Sequence, residues 1–75
     1  MTGKQKQLIE KVSAQNIDWS FDADANKLRI DLPKRVLIIA AKGNSHSLMI
    51  ISKGYGAYSK TTWNEISDIL ERAGA

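Results

Sequence analysis

Lysines and tyrosines gather in the stretch Lys53-Gly54-Tyr55-Gly56, with Tyr58 and Lys60 just beyond it. Ammonium groups beside aromatic rings are the chemistry of surfaces that follow a phosphate backbone with cations and stack bases on π-faces. The same glycines also permit a plain bend from a strand into a helix, with the tyrosines packed over core edges. The two readings can coexist.

Lys53-Gly54-Tyr55-Gly56 resembles the first four positions of the ribonucleoprotein signature of RNA-recognition domains. Ala57 then stands where a second stacking ring belongs, Lys60 stands at the last aromatic position, and no strand can follow the final helix as that fold requires. The fold is therefore excluded and only the local chemistry carries over.

Charge is unevenly distributed. From residue 1 to 31, Lys4, Lys6, Lys11, Lys27 and Arg29 balance Glu10, Asp18, Asp22, Asp24 and Asp31. From residue 65 onward, Glu65, Asp68 and Glu71 outweigh Arg72. Between them Lys34, Arg35, Lys42, Lys53 and Lys60 meet no acid, so the net charge of +3 arises there. Such a run is often only a solvated face, but it is also what an anionic partner would meet.

His46 is the single histidine, flanked by Ser45 and Ser47. Every residue from Leu32 to Asn64 is non-acidic, so no local carboxylate orients the ring or shares a metal with it. A solvated loop histidine at the edge of the partner surface is the favoured reading. Its context, an apolar strand, then Lys42-Gly43-Asn44-Ser45-His46, then a helix ending Arg72-Ala73-Gly74, resembles the HicA-type mRNA interferase toxins. Those have a dsRNA-binding-like fold and a histidine after a Gly-Ser pair on a strand, so the resemblance implies a ribonuclease acting through His46. It covers only those two stretches. Asn44 interrupts the Gly-Ser-His run and an extra hairpin, residues 17–32, precedes it, which ranks this reading third.

Asp22-x-Asp24-x-Asn26 opens like a calcium loop, but Lys27 and Pro33 occupy the positions that need glycine and a bidentate glutamate. A turn whose side chains bond their own backbone is expected instead, and neither a metal nor another cofactor. With no cysteine, disulfide frameworks and thiolate chemistry are removed as well.

The elements that hold these residues follow from periodicity. Leu8, Ile9 and Val12 share one side of a helix over about residues 4–15, and Asn16 tolerates the left-handed conformation that ends it. Ile17, Trp19, Phe21 and Ala23 alternate with polar residues, as do Leu28, Ile30 and Leu32, giving a hairpin that Pro33 closes. The segments 36–41 and 48–51 are apolar at both alternating sets of positions and form a second hairpin across a loop at 42–46. Thr62 and Glu65 have capping-box spacing, and Trp63, Ile66, Ile69, Leu70 and Ala73 form a helical stripe that stops at Gly74.

The expectation is one α+β domain over residues 1–75: a helix, a four-stranded antiparallel sheet of two hairpins, and a helix. A chain of 75 residues buries only roughly 60% of its unfolded surface, which favours surface recognition over a deep catalytic cleft. The expected function is non-enzymatic binding of an anionic partner, nucleic acid first. An acidic protein surface, met by a small inhibitor or adaptor of the kind mobile elements encode, is the main rival. The polar residues 1–7 show no secretory signal and no apolar run approaches the roughly 20 residues that cross a bilayer, so a cytoplasmic protein without membrane contact is expected. Helices on one side would leave Leu37, Ile39, Met49 and Ile51 uncovered, predicting a homodimer through that face or a strand edge.

Overall fold

The computed structural model describes residues 1–54 and 56–73, residue 73 by its backbone alone. Tyr55 and the stop at Gly74 lie outside the described residues. Helix α1 (Gly3–Ala14) begins at a complete capping box: Thr2 Oγ1 accepts from the Gln5 N–H at 3.3 Å, and Gln5 Oε1 accepts from the Thr2 N–H at 2.9 Å. It ends as its asparagine predicts. Asn16 has φ of 57°, and the N–H groups of Asn16 and Ile17 donate to the carbonyls of Ser13 and Val12 at 3.2 and 2.9 Å, a Schellman closure with asparagine in glycine's place.

Five strands follow, β1 (Asp18–Asp22), β2 (Lys27–Asp31), β3 (Arg35–Lys42), β4 (Ser45–Ser52) and β5 (Tyr58–Lys60), before α2 (Trp63–Ala73). Each pairs antiparallel with the next in a meander, β1-β2-β3-β4-β5. The α+β class and the helix–sheet–helix order are as expected, but among the described residues the sheet has five strands where four were predicted. The fifth escaped because Tyr58-Ser59-Lys60 carries no apolar alternation and all three residues are exposed; backbone pairing to Met49, Ile50 and Ile51 makes it a strand. The turn before β4 is also tighter than expected. Lys42 pairs with Ser45, so Gly43 and Asn44 alone form the loop, with Gly43 at φ of 57°. His46 accordingly sits in β4, not in a loop.

Both helices lie on one face of the sheet. Leu8 and Val12 of α1 and Ile66 and Leu70 of α2 pack on Leu28, Ile30, Leu37, Ile39, Leu48 and Ile50. A fully buried Leu or Ile contributes about 1.5–3 kcal/mol, so this layer supplies most of the folding drive. Leu37→Ala, at a site with no solvent exposure, would remove about 2–5 kcal/mol of it. Here the structure corrects the sequence reading: Leu37 and Ile39 face the helices, and Val36, Ile38 and Ala40 face away from them.

One buried polar group pins this layer. Gln5 is fully buried, and its amide nitrogen donates to the carbonyls of Asn26 and Ile39, each at 3.0 Å. With its oxygen used by the capping box, the side chain ties α1 to the β1–β2 turn and to β3 at no unsatisfied cost.

Candidate functional site

The acid-free segment does not form one surface. Arg35 and Lys42 are the two ends of β3, seven residue steps or roughly 23 Å apart at about 3.3 Å per residue, so Lys34 and Arg35 lie at one end of the sheet and Lys42 at the other. Tyr58 and Lys60 pair with Ile51 and Met49 and therefore share the outer face, away from the helices. His46 pairs with Ala41 and faces the helices.

At the Arg35 end the structure builds a cleft of about 420 Å³ from the β2–β3 turn and the last turns of α2. Lys34, Arg35 and Arg72 bring three cations to it, and Leu32, Pro33 and Ile69 make its apolar floor. Among the described residues no carboxylate lines it. The turn is braced from both sides, since the Leu32 N–H donates to the Arg35 carbonyl at 2.9 Å and the Lys53 N–H to the Lys34 carbonyl at 3.1 Å. Two guanidinium groups with fixed, forked donors match phosphate oxygens better than lysines do. The volume falls within the range of small-ligand sites and admits a nucleotide-sized group.

Arg72 is the residue that sequence reasoning missed. It stands in an acidic stretch, and only its spacing of three from Ile69 signals that the two share one side of α2. That this side meets the Lys34-Arg35 turn is a tertiary fact.

Lys53, expected on the partner surface, forms an ion pair with Asp31. Its hydrogen bond, more than the general field of Lys53 and Arg29, holds the Asp31 carboxyl below the usual aspartate range, against a partial desolvation that raises it. A second cleft of about 430 Å³, across Leu32-Pro33 from the first, contains this pair and Asp18, so its charge is mixed.

His46 is half-buried, with Nε2 2.8 Å from Thr2 Oγ1. Its ring meets Trp63 edge-on at 5.3 Å and 73°, and the Lys4 ammonium lies 5.3 Å from the Trp63 ring. The histidine thus joins the start of α1, β4 and the start of α2. Asp22 behaves as a turn residue, its Oδ1 accepting from the N–H groups of Asp24 and Ala25 at 3.0 and 3.3 Å. Among the described residues no group of three or more His, Asp or Glu side chains converges. Nor is any helix among them long and apolar enough to cross a membrane.

Comparison with known proteins adds no relative: no family model, no curated protein and no solved structure matches the chain.

Proposed function

We propose that this chain is a non-enzymatic binding protein that takes a nucleic-acid strand at the cleft of Lys34, Arg35 and Arg72. One observation carries the reading: three cations from two separate elements converge over an apolar floor with no carboxylate among the described lining residues. Arginine forks engage phosphate oxygens, while Leu32, Pro33 and Ile69 offer a surface for a sugar or base face. Lys42 and Lys60, remote from the cleft, attract the same polyanion at longer range.

A ribonuclease built on His46 finds less support, because the ring is engaged by Thr2 and Trp63 on the helix side of the sheet, away from the cleft cations.

The test is binding of a fluorescent single-stranded oligonucleotide by the wild-type chain and by Arg35→Glu and Arg72→Glu. Each substitution is expected to weaken binding at least about tenfold, the low end for losing a charge-assisted contact and gaining repulsion. Unchanged affinity in both variants would overturn the cleft assignment. No oligonucleotide binding, with an acidic protein retained instead through the same arginines, would move the reading to its rival.

A further inference from the structure

Among the described residues no helix lies over the outer face of the sheet, since α1 and α2 both pack on the other one. The accessible apolar centre of the outer face is Ile38, Met49 and Ile51, each half-buried, beside Val36, which at 4% exposed is already covered within the single chain; Tyr58 is 69% exposed at the β5 edge. At the opposite edge β1 presents Asp18 and Ser20, and a hollow of about 180 Å³ between β1 and β2 is lined by Asp18, Trp19, Ser20, Arg29 and Asp31. Since Asp31 is already answered by Lys53, Asp18 is the carboxylate left to face outward there. One edge of the face is thus acidic and notched; the other is basic and carries the protruding Lys60 and Tyr58.

We infer that this face pairs with a second copy of the chain, about a two-fold axis that runs along the strands. Two-fold symmetry allows two face-to-face arrangements. An axis across the strands stacks β1 on β1 and β5 on β5, setting Asp18 near Asp22 of the other copy and Lys60 near Lys60. An axis along the strands stacks β1 of each copy on β5 of the other, with β3 on β3. Only the second brings opposite charges together.

The register defines what meets. Ser20, Arg29, Ile38, Met49 and Lys60 form one row across the face, and Asp18, Asp31, Val36, Ile51 and Tyr58 form the next. Reversing each row about β3 lays Lys60 of one copy over Ser20 of the other, at the hollow beside Asp18. Tyr58 falls over Asp18, whose carboxylate can accept from its hydroxyl. Ile38 packs on Ile38, whereas Val36 is already buried within each copy and adds little contact. The roughly −30° angle of aligned sheet packing is compatible with such an axis, because each sheet contributes half of it.

Five strands at about 4.8 Å and a shared length of roughly 17 Å give each copy a face on the order of 400 Å². Both copies with their rims bury on the order of 1,000 Å², the lower bound for a specific pair, so association belongs in the micromolar range. An axis along the strands leaves each end of the sheet at the same end of the pair. Both arginine clefts then open at one end of the dimer, where a single polyanion can reach both.

Sedimentation equilibrium and light scattering of the full chain, from low to high micromolar concentration, test this with two charge variants. Wild type is expected to rise from the 8.3 kDa monomer toward twice that mass. Lys60→Glu alone, and Asp18→Lys with Ser20→Lys, are each expected to raise the dissociation constant more than about tenfold through like-charge contact. Mixed in equal amounts, the two variants should form a heterodimer, since every edge contact is again between opposite charges. Circular dichroism of each variant shows that it is folded. A wild-type chain that stays monomeric overturns the proposal, as does a dimer that neither variant weakens, or folded variants that fail to pair on mixing. Arg35→Glu and Arg72→Glu leave the mass unchanged, so this inference and the cleft reading fail separately.

Discussion

Lys53 and Asp31, from strands that are not neighbours in the sheet, form an ion pair across its end. Lys53 follows β4 and Asp31 ends β2, with β3 between them. The pair cancels one of the five cations that sequence alone would offer to a partner. Because the folded carboxyl lies below its unfolded value, about 3.9, its contribution to stability is present above that pH and is lost as pH falls through the folded value. Lys53→Met is expected to return the Asp31 titration, followed by carboxyl NMR, toward the ordinary value and to remove its share of acid sensitivity. An unmoved titration would mean that another group holds the carboxylate down.

Gln5→Ala is expected to cost about 1–3 kcal/mol, because the Thr2 N–H loses its partner, the Asn26 and Ile39 carbonyls each lose a donor, and a cavity opens under α1. Urea unfolding measures it. A change within error would show that water replaces the amide.

Asn16 separates two effects at the α1 terminus. At φ of 57°, Asn16→Ala is expected to destabilise by about 1–2 kcal/mol, the left-handed penalty of a Cβ, whereas Asn16→Gly should be neutral or slightly stabilising. Equal losses in thermal unfolding for both variants would assign the effect to the asparagine side chain instead.

His46→Ala should loosen the junction of α1, β4 and α2 by about 1–2 kcal/mol, from the lost Thr2 hydrogen bond and the edge contact with Trp63. A shift in tryptophan fluorescence is expected with it, while oligonucleotide affinity stays put. Purified wild type that cleaves RNA, with cleavage abolished by this substitution, would restore the toxin-like reading.

Each cleft cation that touches a phosphate releases condensed counterion, so log affinity should fall linearly with log salt, by about 0.7 per contact for a single strand. Removing Arg35 or Arg72 should flatten that slope by about one contact, whereas Tyr58→Ala, on the outer face, should leave the slope unchanged. A slope insensitive to either arginine would place the phosphates elsewhere.

Local order accounts for what was legible before any fold was known. Capping groups act within one turn, so Asn16 could be placed as the end of α1, and Thr62 as a cap, since its Oγ1 accepts from the Glu65 N–H at 3.3 Å. Only half of that second capping box forms: the Glu65 carboxylate takes the Thr61 hydroxyl at 2.6 Å, a choice the spacing could not express. Alternation likewise identified the first hairpin, because Leu28 and Ile30 differ plainly from Lys27, Arg29 and Asp31.

The sequence by itself determined the order of helix, two hairpins and helix, the end of α1 at Asn16 and the acid-free middle, since each depends on residues within a few positions of one another. Tertiary structure alone decided the rest. In β3 both alternating sets are apolar, so periodicity could not say whether Val36 and Ile38 or Leu37 and Ile39 meet the helices; packing of α1 and α2 chose the latter. The fifth strand depends on hydrogen bonds to β4, with the Ser52 N–H donating to the Ala57 carbonyl at 2.8 Å and the Thr61 N–H to the Leu48 carbonyl at 3.0 Å, and backbone pairing leaves no mark in side-chain pattern. Charge followed the same division: formal balance is read from composition, but Lys53 meets Asp31, and Arg72 meets Lys34 and Arg35, only once the sheet and α2 bring distant residues to one end of the molecule.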